Sequence, residues 1–164
     1  MSTQTAAAFA IRPARSDADI AAARELFLEY QAWSEVDLCF QGFAAELASL
    51  PGPYAPPRGR LLLAERGREI AGCIALRPLD GERCEMKRLF VRPEHHGLGI
   101  GRLLVAALLA KAKAIGYRAM VLDTLPKMQA AQQLYESLGF RDIEDYTANP
   151  IPGARWLGLD LTVD

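Results

Sequence analysis

The sequence predicts a mixed α+β domain in which helices flank one central, mostly antiparallel sheet. Three observations carry this. Seven short runs have strand character, four stretches space their apolar residues by three and four, and the runs follow in the order β, α, α, three β, α, β, α, β, β. Gly67 and Asp80-Gly81 join the three consecutive strands as two antiparallel hairpins.

Each element has its own cause. Phe9 to Pro13 reads as a first strand. Ser16, with Asp17 and Asp19 behind it, supplies an N-cap and an acidic first turn for a helix whose buried face is Ile20, Ala23, Leu26, Phe27 and Tyr30. The pattern weakens after Trp33, then Phe43, Leu47 and Leu50 recur at helical spacing until Pro51 stops them. PGPYAPP, residues 51–57, is a loop. Leu61 to Glu65, Glu69 to Leu76 and Cys84 to Val91 are the hairpin strands. Leu103 to Ile115 is a helix with Leu103, Ala107, Leu108 and Ala114 on one face and Gly116 at its end. Arg118 to Thr124 is apolar enough for a central strand. Pro126 introduces a helix presenting Ala131, Leu134, Tyr135 and Leu138 and ending at Gly139. Phe140 to Tyr146 and Arg155 to Leu161 close the chain as two more strands, with Asn149-Pro150 turning between them.

Composition removes several function classes. The 164 residues sit near the roughly 150 expected of one domain, so a single domain over residues 1–164 is expected. At 51% hydrophobic and 24% charged the chain is neither disordered nor collagenous. Nineteen Lys and Arg against twenty Asp and Glu give a net charge of −1, so no global field draws it to nucleic acid or to a membrane surface. It has no signal segment and no apolar run of about 18 residues, which points to a soluble cytoplasmic protein. Cys39, Cys73 and Cys84 are odd in number and form no CxxC pair, so reduced, partly buried thiols are expected. The histidines, His95 and His96, are adjacent and give no metal-ligand spacing, so no metal is expected.

The chemistry concentrates in MKRLFVRPEHHGLGIGRLL, where a strand ending at Val91 passes through a glycine-rich turn into a helix. Gly97, Gly99 and Gly101 alternate there. Lacking Cβ atoms, they let the backbone approach a ligand and turn successive N–H groups toward an anion, and the helix N-terminus adds about half a positive charge. A phosphate or pyrophosphate suits such a site. No Gly-Lys-[Ser/Thr] follows, which excludes a Walker loop, and the spacing does not complete G-x-G-x-x-G. A tight turn that only packs strand against helix is the plain alternative.

The run V-x-P-E-H-H-G-L-G-I-G-x-x-L resembles the acetyl-CoA signature of the GNAT N-acetyltransferase superfamily, and EMKRLFV before it with LDTL and AQQLYESLGF after it extend the likeness over residues 85–140. The resemblance implies a GNAT-like fold and transfer of an acetyl group from acetyl-CoA, a cosubstrate, directly to a primary amine. The main chain of Leu89, Phe90 and Val91 would pair with the pantetheine arm, and Gly97, Leu98, Gly99, Ile100, Gly101 and Arg102 would hold the pyrophosphate. His96 stands where the family usually has Arg or Gln and would still donate to a phosphate oxygen through its imidazole, an exposed loop histidine being the alternative; Met128 stands where many members have Asn.

A primary amine with a pKa of about 10 is only about 0.1% neutral at pH 7, so amide formation needs a base. Glu85, four residues before the pantetheine run, resembles the family's glutamate position; a solvent-facing carboxylate or a partner of Lys87 or Arg88 is its alternative role. Tyr135, in L-Y-x-x-x-G-F, resembles the family's general acid, at a helix start that splays from the preceding strand; an aromatic core residue is the alternative there. Tyr30, Trp33, Phe40, Phe43, Glu46 and Tyr146 are candidate acceptor-pocket walls, and Glu35, Asp37 and Glu46 could attract a cationic amine. The expected acceptor is a small-molecule amine, an amino acid among the candidates; a protein or peptide acceptor and a non-catalytic acyl-CoA sensor are the alternatives. A homodimer is left open.

Overall fold

The structure, a computed structural model, describes residues 8–38 and 42–163. Its strands are β1 (Ala10–Pro13), β2 (Arg60–Arg66), β3 (Glu69–Pro78), β4 (Arg83–Val91), β5 (Ala119–Thr124), β6 (Arg141–Asp142) and β7 (Arg155–Asp160). Its α-helices are α1 (Asp17–Ser34), α2 (Phe43–Ser49), α3 (Ile100–Ile115) and α4 (Gln129–Ser137). The strands form one sheet in the order β1-β2-β3-β4-β5-β7-β6. β4 and β5 pair in parallel and the other neighbours are antiparallel. The expected α+β architecture is therefore the observed one.

Strand alternation sends side chains to two cores, one on each face. Cys84 and Met86 of β4, with Met120 and Leu122 of β5, pack under α3 against Ile100, Leu104, Val105, Leu108 and Ala112. On the other face Leu61, Leu63, Cys73, Ala75 and Phe90 meet Ala23, Leu26 and Phe27 of α1, Phe43 of α2 and Tyr54. Burying each large apolar side chain is worth about 1.5–3 kcal/mol, so α3 is held by its packed stripe more than by propensity.

Four details differ from the sequence reading. The α3 helix starts at Ile100, and its buried stripe runs through Leu104, Val105, Leu108 and Ala112, leaving Leu103 half-buried and Ala114 exposed. An almost uniformly apolar helix has several self-consistent stripes, and the sheet selects one. Tyr135 lies late in α4 rather than at its start. The strand expected over Phe140 to Tyr146 shrinks to Arg141–Asp142, both exposed at the sheet edge. The 51–57 loop contains a 3₁₀ turn, Gly52–Tyr54, that drives Tyr54 fully into the core. Cys73 and Cys84 are free and buried, whereas Cys39 and Phe40 lie outside the described residues. Among the described residues no helix is long and apolar enough to cross a membrane, and no group of three or more His, Cys, Asp or Glu converges where a metal could sit.

Candidate active site

The site begins where the sheet stops being a sheet. β4 and β5 pair over three rungs only, Arg83 with Ala119, Cys84 with Met120 and Glu85 with Val121. Beyond them the strands part, and among the described residues no strand pairs with β4 on its β5 side from Met86 to Val91. A bulge produces part of this opening. Between the Cys73–Phe90 and Ala75–Lys87 pairs the register shifts, and Arg88 takes a left-handed backbone with φ 61°. The partner strand makes room with Gly72, where a Cβ would stand 2.4 Å from the Phe90 carbonyl oxygen. An open strand edge of this kind offers main-chain donors and acceptors to an extended amide-bearing ligand. Leu89, Phe90 and Val91 all lie on it.

A cleft of about 390 Å³ runs along this edge. The 3₁₀ turn Pro93–His95 and the glycine loop close one end. Gly97 and Gly99 have φ 80° and 82°, and Gly99 is the N-cap of α3, with no side chain bonded to the free N–H groups of the first turn and no acidic residue there. Uncapped donors and the helix dipole together make a setting that suits an anion. Two side chains of this loop and helix start are engaged within the protein, His96 among them although its imidazole is expected at the phosphate. The His96 Nε2 lies 2.7 Å from the Val91 carbonyl oxygen, and Arg102 donates to the Ser137 hydroxyl at 2.8 Å, tying α3 to α4. A Cβ at Gly101 would meet the Leu134 side chain at 3.5 Å, ordinary contact distance. His95 is buried beside Phe9 and pairs with Glu69 at 2.8 Å.

Toward its other end the cleft meets a polar stretch of the sheet, of which Lys87, Asp123 and Asn149 line the cleft while Glu85 and Tyr146 lie behind the lining. Glu85, Lys87, Val121 and Asp123 share the face away from α3. Glu85 is 1% exposed; its Oε1 accepts from Arg77 at 2.7 Å and its Oε2 from the Tyr146 hydroxyl at 2.6 Å. Burial and the adjacent Glu85 carboxylate push the Tyr146 phenol far above its usual range. Burial pulls the Lys87 ammonium down, against the opposing pull of Glu85 and Asp123. Asp123 accepts from Asn149 Nδ2 at 2.9 Å. Tyr135 is buried against Phe140 and lines the cleft, and burial, with Tyr30 and Asp123 nearby, pushes its hydroxyl well above the ordinary phenol value.

Among the expected pocket walls, Tyr30 and Trp33 do line the cleft. Burial pushes Tyr30 up to about 12, with Arg88 opposing. Glu46 and Phe43 instead hold Arg88: Glu46 takes its Nε and Nη2 at 2.8 and 2.9 Å, and the guanidinium lies 5.2 Å from the Phe43 ring centre. Burial opposes the Arg88 charge, and Glu46 more than offsets it. Met128 accepts weak sulfur contacts from Tyr30 and Thr124, both at 3.8 Å. Lys127 reaches back to α1, donating to the Trp33 carbonyl at 2.7 Å and standing 3.5 Å from Glu35. Sequence reasoning passed over Asp123, Arg77 and the Lys127 bridge. Asp123 had a visible signal, a carboxylate inside an otherwise apolar central strand. The other two depend on contacts far apart in the chain.

A parted parallel strand pair, an open β4 edge and an uncapped glycine-loop helix together fit a pantetheine arm ending in a diphosphate. The Acetyltransferase (GNAT) family model matches residues 20–140. The chain belongs to the GNAT family. An uncharacterized N-acetyltransferase of Schizosaccharomyces pombe is 43% identical over 140 residues, covering 84% of this chain and 85% of that protein. An acetyltransferase structure from Streptococcus agalactiae superposes with a TM-score of 0.77 at 21% identity over 93% of this chain and 98% of that one, a likeness of fold. A GNAT acetyltransferase from Elizabethkingia anophelis with acetyl-CoA bound is 29% identical, with a TM-score of 0.54 over 62% of this chain and 76% of that one. This GNAT protein is accordingly an N-acetyltransferase that uses acetyl-CoA.

Proposed function

We propose that the acceptor is a small-molecule primary amine, with free amino acids in the class. The observation that carries this is the bridge over the acceptor side of the cleft. Lys127 of the β5–α4 loop is bonded to the Trp33 carbonyl and paired with Glu35, and Tyr30 contacts Met128. α1 and that loop therefore meet across the opening, a poor fit for an extended peptide and a good one for a compact molecule. Lys87 and Asp123 at the cleft supply opposite charges that suit a zwitterion.

The residue roles follow the same reading. The Leu89, Phe90 and Val91 main chain receives the pantetheine amides, and the backbone N–H groups from Gly97 through Leu98, Gly99, Ile100, Gly101 and Arg102 hold the diphosphate. Acetyl-CoA supplies an acyl carbon activated as a thioester. As the amine nitrogen bonds to that carbon and the carbon–sulfur bond breaks, one proton must leave nitrogen and one must reach sulfur. Tyr135, kept protonated by its buried setting, gives the second. Glu85 takes the first through Tyr146, whose hydroxyl already donates to it and passes a proton on as it receives another.

A panel of small amines assayed by free-thiol release tests the acceptor class. Turnover on amino acids and other compact amines is expected; turnover on a protein N-terminus with none on any small amine would reverse the assignment. In the same assay Tyr135→Phe should lower kcat by about 100-fold while leaving acetyl-CoA affinity unchanged. Turnover by that variant equal to the unmutated enzyme would remove Tyr135 from the mechanism.

A further inference from the structure

We propose that Asp123 is the catalytic carboxylate that binds the acceptor's ammonium group, a role resting on the small-amine reading above and separate from the proton transfer assigned to Glu85. The argument runs through the carboxylates that surround the cleft. Glu85 has both oxygens committed, one to Arg77 and one to Tyr146. Glu46 has both committed to Arg88 in a pair that is nearly fully buried. Glu35 faces solvent beside Lys127. Asp123 alone of the four lines the cleft itself, half-buried, with Oδ2 receiving the Asn149 amide and no described residue donating to Oδ1.

Its aim is fixed. The Asn149 Oδ1 accepts from the Ile151 backbone N–H at 3.0 Å, which sets the amide so that Nδ2, and not the oxygen, faces Asp123. The carboxylate therefore cannot swing freely, and its second oxygen stays available at the point where β4 and β5 part. The same cleft holds Tyr135, so an ammonium bound there lies between the proton donor to sulfur and the open β4 edge. A half-buried carboxylate with one oxygen open to the cleft makes a charge-assisted hydrogen bond to an incoming ammonium. This gives a role to the charged residue that stands next to the C-terminal end of Ala119–Thr124, beyond the last rung shared with β4.

Steady-state kinetics of Asp123→Asn test the assignment, with acetyl-CoA binding measured by calorimetry and folding by thermal melting. The acceptor KM should rise by about 10- to 100-fold, the range for losing one charge-assisted hydrogen bond, with a smaller change in kcat. Acetyl-CoA affinity should stay as it was, and Asp123→Glu should recover part of the KM. Asn149→Ala, which only frees the carboxylate to move, should raise the acceptor KM by about 3-fold and keeps the test available if Asp123→Asn does not fold. An acceptor KM unchanged in both variants overturns the proposal. A peptide with a free N-terminus serves as a second primary amine: if only that is turned over, the small-acceptor reading fails while Asp123 is still tested on it.

Discussion

Two helix N-termini of this protein meet the same physical problem and solve it in opposite ways. The first turn of α1 is closed from within: the Ser16 hydroxyl accepts from the Asp19 N–H, and the Asp19 carboxylate accepts from the Ser16 and Arg15 N–H groups and pairs with Arg12. Arg12 also pairs with Glu65 of β2, so the whole end is knitted to the sheet. The first turn of α3 has a positive-φ glycine at its N-cap, no side-chain cap and no acidic residue. Both ends begin with the same donors that no intrahelical carbonyl can reach and the same partial positive charge. One spends them on stability. The other leaves them without a side-chain cap, open to the diphosphate contact proposed above, which is why substitutions at the two ends should separate stability from binding.

The largest effect is expected from giving α3 the cap that α1 has. Aspartate tolerates left-handed backbone better than most residues, so Gly99→Asp keeps the turn and places a carboxylate on the N–H groups proposed to grip the diphosphate. Acetyl-CoA affinity by calorimetry should fall by about 100-fold or more, while the left-handed strain at position 99 lowers the melting temperature only modestly and leaves the protein folded. An unchanged affinity would show that the donors at this helix end do not face the cosubstrate.

Next comes removal of the anion that α1 carries for itself. Asp19→Ala takes acceptors from Arg12, Arg15 and Ser16 and should cost about 2 kcal/mol in denaturant unfolding at pH 7, with acetyl-CoA affinity intact. Its pH dependence has a definite sign. The Arg12 hydrogen bonds, then the backbone ones, hold the Asp19 carboxyl well below the usual carboxylate range. A depressed native pKa gives stability that is complete above the unfolded value of about 3.9 and is lost as pH falls through the native one. The gap between Asp19→Ala and the parent should therefore be full at pH 7 and narrow in strongly acidic solution; a gap of constant size would mean that the charge of Asp19 contributes nothing.

The same contrast marks how far the sequence could be read. Both helix ends were legible, because capping is decided within four residues: Ser16 with Asp19 announces a closed end, and glycine at 97, 99 and 101 announces an open one. The glycine loop and the succession of elements along the chain followed from local turn chemistry and period, whereas the placing of β7 between β5 and β6 did not. The bulge at Arg88 was not legible, since nothing in the residue's own identity favours left-handed backbone; it is imposed by the pairing of β4 with β3. Nor was the acceptor end, where Tyr146 reaches Glu85 across 61 residues and Asn149 reaches Asp123 across 26 from a segment that forms almost no strand. His96 and Arg102 show the limit from the other side: a family position names a residue, while the nearest acceptor decides where its side chain goes, here Val91 and Ser137.

The smallest effect sharpens the contrast most. Ser16→Ala removes one hydroxyl acceptor and leaves Asp19 with its arginine and two backbone donors, so the loss should be about 1 kcal/mol, seen as a lower denaturant midpoint with an unchanged slope. Acetyl-CoA affinity should not move, because the Ser16 hydroxyl caps a turn that meets no ligand. Were Ser16→Ala to weaken acetyl-CoA binding as well, the two ends would be coupled through the sheet between β1 and β4, and the division of one end for stability and one for ligand would fail at its weakest point.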